Sequence, residues 1–208
     1  MTERTTGIYR IVAIPALYAK IQYLLGGPDA RERLASEIFS ELKGKSVVEI
    51  GCGPGMWSEH LRHAASYIGV DRNQRHIQEA NSRYCTQTTR FLCGDLADAG
   101  VISAIGACDV VIAIGILHHL SDDVAREVLM QSAALLGAKG VFIGIEPVLH
   151  ARQNPIARLL KWLDSGQNIR HEAEYRALFP KDMALQTHVR TNVMRLPYSH
   201  LIMNGVRT

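Results

Sequence analysis

The chain has 208 residues, of which 47% are hydrophobic and 21% are charged, and these values fit one globular domain. Disordered, collagen-like and repeat classes are excluded, because the hydrophobic content is ordinary and the 17 glycines and 7 prolines show no period. The formal net charge is +3, with 14 basic and 16 acidic residues up to His150 but 9 basic and 4 acidic residues after it.

No apolar segment of the sequence predicts a membrane span or a cleaved leader. Residues 8–25 are interrupted by two charged residues and a proline, and residues 101–117 contain Asp109. The four cysteines form no C-x-x-C pair and no zinc-ligand spacing, which favours a reducing compartment. His60 and His63 have no third ligand nearby, so we expect no metal site. We therefore expect a soluble, cytoplasmic protein.

The N-terminal part of the chain predicts helices. Apolar residues recur there at three- and four-residue spacing, as in an amphipathic helix that ends at the glycines and proline of residues 26–28. These apolar residues are Ile11, Ile14, Tyr18, Ile21 and Leu25. A second helix is predicted for residues 29–42.

The middle of the chain alternates short apolar runs with helix-length segments, which is typical of a parallel sheet with helices on both faces. Strands are predicted at residues 47–50, 67–70, 90–92, 109–114 and 141–145. Helices are predicted at residues 56–63, 74–83 and 121–136. Two later strands, at residues 186–191 and 199–206, are close enough in sequence to pair as an antiparallel hairpin at one edge of the sheet.

The whole chain is therefore predicted to form one α/β domain with four parts. These are N-terminal cap helices at residues 1–43, a cofactor-binding core at 44–146, a substrate lid at 147–185 and closing edge strands at 186–208. The lid contains an insertion at residues 147–180. We expect substrate contacts there, because loops carried by a rigid sheet usually hold the variable chemistry.

The most informative segment is residues 47–55, in which a buried strand runs directly into three alternating glycines. Glycine lets the backbone turn sharply while a ligand lies against it. Asp71 ends the next strand, where nucleotide-binding sheets place the acid that binds ribose hydroxyls. A dinucleotide site needs G-x-G-x-x-G, but this chain has G-x-G-x-G, which disfavours NAD. The carboxylate of Glu49, just before the glycines, suits a positively charged ligand better than a phosphate.

With these motifs the chain resembles the class I S-adenosylmethionine-dependent methyltransferases, in order over most of its first 150 residues. Gly94-Asp95-Leu96 is similar to the loop whose Asp binds adenine, and residues 109–120 are similar to the fourth strand and the loop beneath the transferred methyl group. Residues 136–140 resemble the turn before the fifth strand. The resemblance implies a Rossmann-like three-layer sandwich with a mostly parallel seven-stranded sheet, one antiparallel edge strand, and a lid formed by the N-terminal helix and the insertion.

The resemblance also implies the cofactor, S-adenosyl-L-methionine, and the residues that bind it. Glu49 and the glycines are expected around its methionine part, Asp71 at its ribose and Asp95 at its adenine amine. The expected cofactor-binding residues are Glu49, Gly51, Cys52, Gly53, Gly55, Asp71, Arg72, Asp95, Leu96 and Ile114. Beyond His150 the chain resembles a group of small bacterial methyltransferases that carry D-x-G-Q-x-x-R and R-x-P-Y-x-H segments. This second resemblance does not indicate which substrate is methylated.

Methyl transfer from a sulfonium mainly needs an aligned nucleophile and exclusion of water, but a protonated nucleophile also benefits from a base. His118 or His119, after the fourth strand, is the expected base, with packing or helix capping as the alternative. Tyr18 is expected to close over the site, or else to be buried against the domain. The expected substrate-binding residues are Glu146, Arg170 and Arg195, the arginines because a guanidinium matches a carboxylate.

These features favour a methyltransferase that acts on an oxygen or nitrogen of a small molecule, and the basic residues after His150 favour an anionic one. The alternatives are an RNA or protein methyltransferase and a non-catalytic S-adenosylmethionine-binding protein. Enzymes that methylate base amines often carry Asn/Asp-Pro-Pro-Tyr after the fourth strand, whereas residues 115–118 here are Gly-Ile-Leu-His. The basic tail also lacks the aromatic interleaving of a single-strand platform, so we expect no nucleic-acid partner. The oligomeric state stays open.

Overall fold

Strands and helices alternate along the chain in the computed structural model, which describes residues 27–150, 168–191 and 199–208. The described strands are β1 (Ser46–Ile50), β2 (Ser66–Asp71), β3 (Thr89–Cys93), β4 (Cys108–Ile114), β5 (Leu136–Leu149), β6 (Arg170–His171), β7 (Met183–Arg190) and β8 (His200–Arg207). The described α-helices are α1 (Gly27–Ile38), α2 (Gln74–Tyr84), α3 (Ala99–Ile105), α4 (Asp122–Leu135) and α5 (Glu172–Arg176). Short 3-10 helices lie at Ser40–Leu42, Ser58–Leu61 and Leu117–His119.

The strands form one sheet in the order β3-β2-β1-β4-β5-β8-β7, and β6 pairs with β5 beside this path. Neighbours among β1 to β5 are parallel, whereas β8 runs antiparallel to both β5 and β7. The chain first builds outward from β1 to β3 and then returns to place β4 on the other side of β1. Because the strand order reverses between β1 and β4, a crevice opens at their carboxyl ends, which is where open α/β sheets bind ligands.

The two faces of the sheet are covered by different helices, because successive side chains of a strand point to opposite faces. On one face, Val48 and Ile50 belong to the larger core, which includes residues of α3, α4 and α5. On the other face, Val47 and Tyr67 pack in a second core with residues of α1 and α2. The result is a sandwich of three layers. None of the described helices is long and apolar enough to cross a membrane.

The predicted α/β architecture is confirmed, including the mostly parallel sheet and the late antiparallel pair formed by β7 and β8. The strand that runs antiparallel to its neighbours is β8, and it lies one place in from the edge, which β7 forms. The short helix α3 was not predicted, although Asp98 accepts a hydrogen bond from the N–H of Gly100 as an N-cap. The pair β6 and α5 was not predicted either.

The helix predicted at residues 56–63 is wrong. This segment is a turn followed by the 3-10 helix Ser58–Leu61, and within that helix Ser58 and Leu61 are the buried residues. Burial at a spacing of three fits the three residues per turn of a 3-10 helix. The preceding Gly55 has a φ of 79°, so the chain enters the segment in a left-handed conformation that no α-helix continues.

The turn predicted at residues 136–140 is an irregularity inside β5, which already begins at Leu136. Cys108 pairs with Leu136 but Val110 pairs with Val141, so the residues between Leu136 and Val141 bulge out of the ladder. At the other end β5 continues to Leu149, and β7 starts at Met183, so residues 147–149 and 183–185 belong to the sheet and not to a lid. Residues 1–26 and 151–167, where most of the predicted cap and insertion lie, are outside the described residues.

Candidate active site

An open cleft with a volume of about 700 Å³ lies at the carboxyl ends of β1, β2 and β4. This volume is within the range of about 300–1,000 Å³ that is usual for small-molecule sites. Seven of the predicted site residues line it, namely Gly51, Gly53, Asp71, Arg72, Asp95, Leu96 and His119. The cleft therefore brings together the motifs that follow four different strands.

In the glycine turn after β1, residues 51–55, the backbone faces the cleft at glycines that have no side chain. Gly51 and Gly53 have φ angles of 70° and 54°, in the left-handed region that other residues rarely adopt. A Cβ atom on Gly51 would overlap the side chain of Ile116, whereas one on Gly53 would meet nothing within 4 Å. The N–H of Gly51 donates to the carbonyl of Val70 at 2.8 Å, which fixes the turn against β2. A ligand can therefore approach the backbone at Gly53.

Asp71, the last residue of β2, holds this turn and faces the cleft. Its Oδ2 accepts a hydrogen bond from the N–H of Gly53 at 2.9 Å, and its Oδ1 accepts one from the N–H of Asn73 at 2.8 Å. Nδ1 of His76, in the first turn of α2, lies 3.6 Å from Oδ1. Each carboxylate oxygen has a second lone pair, so Asp71 can hold the glycine turn and accept from ribose hydroxyls at the same time.

Arg72 and Asp95 form an ion pair at the far end of the cleft, after β2 and β3. The other oxygen of Asp95, Oδ1, accepts a hydrogen bond from the N–H of Ala97 at 3.1 Å. A second cavity of about 310 Å³ continues from this pair along α4. The carboxylate is thus fixed where the third strand ends, as the resemblance to adenine-binding loops requires.

Glu49 lies behind the glycine turn, so the predicted direct contact with the cofactor is not what the structure shows. Its side chain points to the face of the sheet opposite to Ile50, is 1% exposed, and accepts a hydrogen bond from the hydroxyl of Tyr67. Burial raises the pKa of Glu49 from about 4.5 to about 8, against the opposing effect of the Tyr67 hydrogen bond. Glu49 supports the turn from the second core.

Cys52, Gly55 and Ile114 are also placed away from the cleft. Burial raises the pKa of the Cys52 thiol well above its ordinary value, so it behaves as a small core residue. A Cβ atom on Gly55 would lie 2.9 Å from the ring of Tyr84, which makes this glycine a packing requirement. Ile114 packs into the second core because it shares a strand face with Ile112. These three residues shape the turn and the sheet and do not line the cleft.

Residues 116–120, which we call the His118 turn, follow β4 and hold both predicted histidines. Ile116 and His119 both line the cleft, since three residues make one turn of a 3-10 helix and place them on the same face. His118 points the other way and is 5% exposed. The two imidazole rings lie 4.1 Å apart between centroids. The structure thus gives the two histidines different surroundings.

Glu146, predicted as a substrate ligand, instead binds the His118 turn with both carboxylate oxygens. Oε1 accepts the N–H groups of Ile116 and Leu117 at 2.9 and 2.7 Å, and Oε2 accepts the N–H of His118 at 3.3 Å. Nδ1 of His118 lies 2.6 Å from Oε2. A carboxylate that already accepts three backbone N–H groups can only accept from the ring, so Nδ1 carries the proton and Nε2 carries the lone pair. The side chain of Glu146 is fully buried and offers no free oxygen to a substrate.

Arg170 is likewise not a substrate ligand. Its guanidinium is buried and donates to the carbonyls of Leu117 and Leu120 at 2.8 and 2.7 Å and to Asp122 at 2.9 Å. The sequence could not indicate this, because the acceptors lie about fifty residues earlier in the chain. Tyr18 and Arg195 are outside the described residues and stay predictions.

Several cleft residues were not predicted from the sequence. They are Ile50, Asn73, His76, Gly115, Ile116 and Leu120. Strand alternation was a usable signal for Ile50, since it shares a face with Val48 and not with Glu49. Gly115 directly follows β4 with a φ of 65°, which is the same signal that identified the glycine turn after β1.

The sequence matches known proteins over this same region. A family model described as a methyltransferase domain matches residues 47–140. The ubiquinone biosynthesis O-methyltransferase of Azorhizobium caulinodans is 35% identical over an alignment of 104 positions, which covers 46% of this chain and 36% of that protein. The match therefore spans about a third of the length of that relative.

Residues 47–140 therefore match a methyltransferase domain, which is the family that the sequence motifs predict.

Solved structures of class I methyltransferases share the fold at low identity. Magnesium protoporphyrin IX methyltransferase from Synechocystis, solved with bound S-adenosylhomocysteine, matches with a TM-score of 0.66 at 20% identity, over 88% of this chain and 84% of that one. The N-methyltransferase NodS from Bradyrhizobium japonicum matches with a TM-score of 0.63 at 14% identity, over 87% and 96% of the two chains. A second structure of the Synechocystis protein holds S-adenosylmethionine.

The methyltransferase domain match and the ligands of the two Synechocystis structures agree with the predicted cofactor, S-adenosylmethionine. The residues of the cleft fit it. The open approach at Gly53 admits its methionine part, Asp71 offers acceptors for ribose hydroxyls, and Asp95 offers an acceptor for the adenine amine. The cleft also has the volume that a ligand of this size needs.

Replacing Asp71 with Ala is expected to weaken binding of S-adenosylhomocysteine by about ten- to a hundredfold, because hydrogen bonds to a charged acceptor are each worth about 1.5–3 kcal/mol. Isothermal titration calorimetry measures the dissociation constant. Glu79→Gln, which removes an exposed carboxylate of α2 that pairs with Arg83, is the matched control and should leave the affinity unchanged. An unchanged affinity in Asp71→Ala would mean that the ribose lies elsewhere.

Glu49→Gln is expected to change how stability depends on pH. Between about pH 4.5 and pH 8 the folded protein keeps the Glu49 proton that the unfolded chain has lost, so this group lowers the free energy of unfolding as pH rises through that window. Gln does not titrate, so the stability of the variant relative to wild type should rise with pH by up to about 1.4 kcal/mol per pH unit across the window. Above the window this difference should stay constant.

Urea unfolding at pH 5, 6.5, 8 and 9 tests the Glu49 prediction, and subtracting the wild-type values removes the effect of all other titrating groups. Glu79→Gln serves again as the control, with a difference from wild type that stays flat. A flat difference for Glu49→Gln as well would show that Glu49 is ionised throughout.

Proposed function

We propose that this protein transfers a methyl group from S-adenosyl-L-methionine to a hydroxyl oxygen of a small molecule, and that His118 is the general base. The observation that carries this is the contact of 2.6 Å between Nδ1 of His118 and the buried carboxylate of Glu146. A hydroxyl is protonated at neutral pH, so its methylation gains from a base, typically by about 10²–10⁴-fold. A neutral amine already carries the lone pair that attacks. A buried, oriented histidine therefore favours an oxygen acceptor.

The surroundings of His118 suit it for this role better than those of His119. Glu146 fixes the ring so that Nε2 carries the lone pair, and its negative charge stabilises the imidazolium that forms when the proton is taken up. A Cβ atom on Gly115, which lines the cleft, would lie 3.9 Å from Cε1 of His118. The imidazole is therefore buried behind Gly115, at the carboxyl end of β4.

Each part of the site then has a task in the reaction. When bound, the cofactor supplies a methyl group that is activated by the positive charge of its sulfonium. The glycine turn and Asp71 would hold the cofactor, and the apolar side chains of Ile116 and Leu120 would exclude water. His118 would take up the hydroxyl proton of the acceptor at Nε2, while the cofactor would supply the methyl group and leave as S-adenosylhomocysteine.

The relatives support the class of reaction but do not choose the acceptor atom. The Azorhizobium relative is named an O-methyltransferase, whereas NodS, which shares the fold, is named an N-methyltransferase. The pair of His118 and Glu146 is therefore what favours oxygen. Arg170 no longer supports the prediction of an anionic acceptor, because its guanidinium donates to backbone carbonyls of the protein.

The acceptor class is tested by incubating the protein with methyl-labelled S-adenosylmethionine and a cell extract separated into small-molecule, RNA and protein fractions. We expect label in the small-molecule fraction, as ethers that survive mild alkali and are not retained on a cation exchanger at low pH. Asp71→Ala, with weakened cofactor binding, should transfer much less label. Label in RNA or protein, or in amines retained by the exchanger, would contradict the proposal.

A further inference from the structure

The guanidinium of Arg170, on β6, makes four hydrogen bonds and one further ion-pair contact within the protein. Nε donates to Oδ1 of Asp122 at 2.9 Å, and Nη2 lies 2.8 Å from the same oxygen. Nη2 also donates to the carbonyl of Leu120 at 2.7 Å, and Nη1 donates to the carbonyls of Leu117 and Asn168 at 2.8 and 3.1 Å. All three nitrogens of the guanidinium are therefore bound within the protein.

Two of these acceptors, the carbonyls of Leu117 and Leu120, belong to the His118 turn. Glu146 binds the N–H groups of the first three residues of this turn, and Arg170 binds two of its carbonyls, on either side of His118. The turn is therefore held by a buried anion and a buried cation, each of which faces the backbone groups of opposite partial charge.

Arg170 is itself rigidly placed. Its backbone pairs with Val148 of β5, and its guanidinium lies 5.6 Å from the ring centroid of the buried Tyr175. The hydroxyl of Tyr175 donates to the carbonyl of Pro147 at 3.0 Å. The side chain is thus fixed against the same strand that carries Glu146, so the two charges keep a constant separation.

A lysine at this position would not replace the arginine. Its ammonium has three donors on one nitrogen, which is too compact to reach both carbonyls of the turn and Asp122 together. A buried carbonyl without a donor is unfavourable, so the turn would shift to find water or another partner. A displacement of about 1 Å in a catalytic group lowers a rate by about a hundredfold.

We propose that Arg170 is a positioning residue for the His118 base. It fixes the carbonyl end of the His118 turn so that Glu146 holds the imidazole with the proton on Nδ1 and the lone pair on Nε2. The inference rests on the proposed function, in which His118 is the base. Arg170 acts through His118 and touches neither the cofactor nor the acceptor.

Nuclear magnetic resonance of protein labelled with ¹⁵N-histidine tests this without an acceptor, because long-range ¹H–¹⁵N spectra distinguish the two tautomers. His118→Gln assigns the signals. Wild-type His118 should show a protonated Nδ1 and an unprotonated Nε2. In Arg170→Lys these signals should move to those of a mixture of tautomers. Arg176→Lys is the matched control, since this exposed arginine of α5 bonds only Thr187 and Leu185 among the described residues, and it should leave His118 unchanged.

The rate of label transfer to small molecules gives a second readout. It should fall about ten- to a hundredfold in Arg170→Lys. It should fall no further when Arg170→Lys is added to His118→Gln, because a residue that acts through His118 has nothing left to position. A further loss of similar size in the double variant would overturn the inference.

A variant with a smaller change covers the case in which Arg170→Lys does not fold. Asp122→Asn alters an exposed acceptor of the guanidinium and should move the His118 signals in the same direction by less. If wild-type His118 carries its proton on Nε2, the proposed function fails together with this inference. If wild type carries it on Nδ1 and neither Arg170→Lys nor Asp122→Asn changes that, only the inference fails.

Discussion

The rest of the site depends on the hydrogen bonds between the buried carboxylate of Glu146 and the His118 turn. The carboxylate accepts four hydrogen bonds from the His118 turn, three from backbone N–H groups and one from the imidazole. Taking a carboxylate out of water is costly, and these four donors replace the water that it loses. The sheet creates the contact, because β4 and β5 pair with Ile114 opposite Ile145, which leaves Glu146 beside the residues that follow β4. The register between β4 and β5 therefore determines how the imidazole ring of His118 is oriented.

The cofactor side and the base side of the cleft are in direct contact. An added Cβ atom on Gly51 would overlap the side chain of Ile116, so the glycine turn packs against the first residue of the His118 turn. Asp71 fixes the glycine turn from one side through Gly53, and Glu146 fixes the His118 turn from the other. The two turns are therefore fixed relative to each other by packing between them and by one carboxylate on each side. Methyl transfer requires such a fixed relation, because the oxygen, the methyl carbon and the sulfur must lie in line.

Much of the fold and the cofactor side could be predicted from the sequence, because they depend on local patterns. Alternating apolar runs and turn residues predicted the strands, and the spacing from the glycines to Asp71 predicted that the two meet in the cleft. Glu49 was misplaced although the signal was present: strand alternation puts it on the opposite face from Ile50, which lines the cleft. The 3-10 spacing of Ile116 and His119 likewise separates His119 from His118.

The roles of Glu146 and Arg170 could not be predicted, because each depends on contacts with residues far away in sequence. Glu146 was predicted as a substrate ligand because it ends the fifth predicted strand, and Arg170 because a guanidinium matches a carboxylate. The fold instead places four donors around one and five acceptor contacts around the other. Only the tertiary arrangement shows that both charges have partners in the His118 turn.

The central claim is that His118, and not His119, is the base. Single-turnover methyl transfer to the acceptor purified from the labelled small-molecule fraction tests it most directly, with His118→Gln and His119→Gln compared at saturating cofactor. The account predicts a rate about 10²–10⁴-fold lower in His118→Gln and within about tenfold of wild type in His119→Gln. A near-normal rate in His118→Gln, or a large loss confined to His119→Gln, would contradict it.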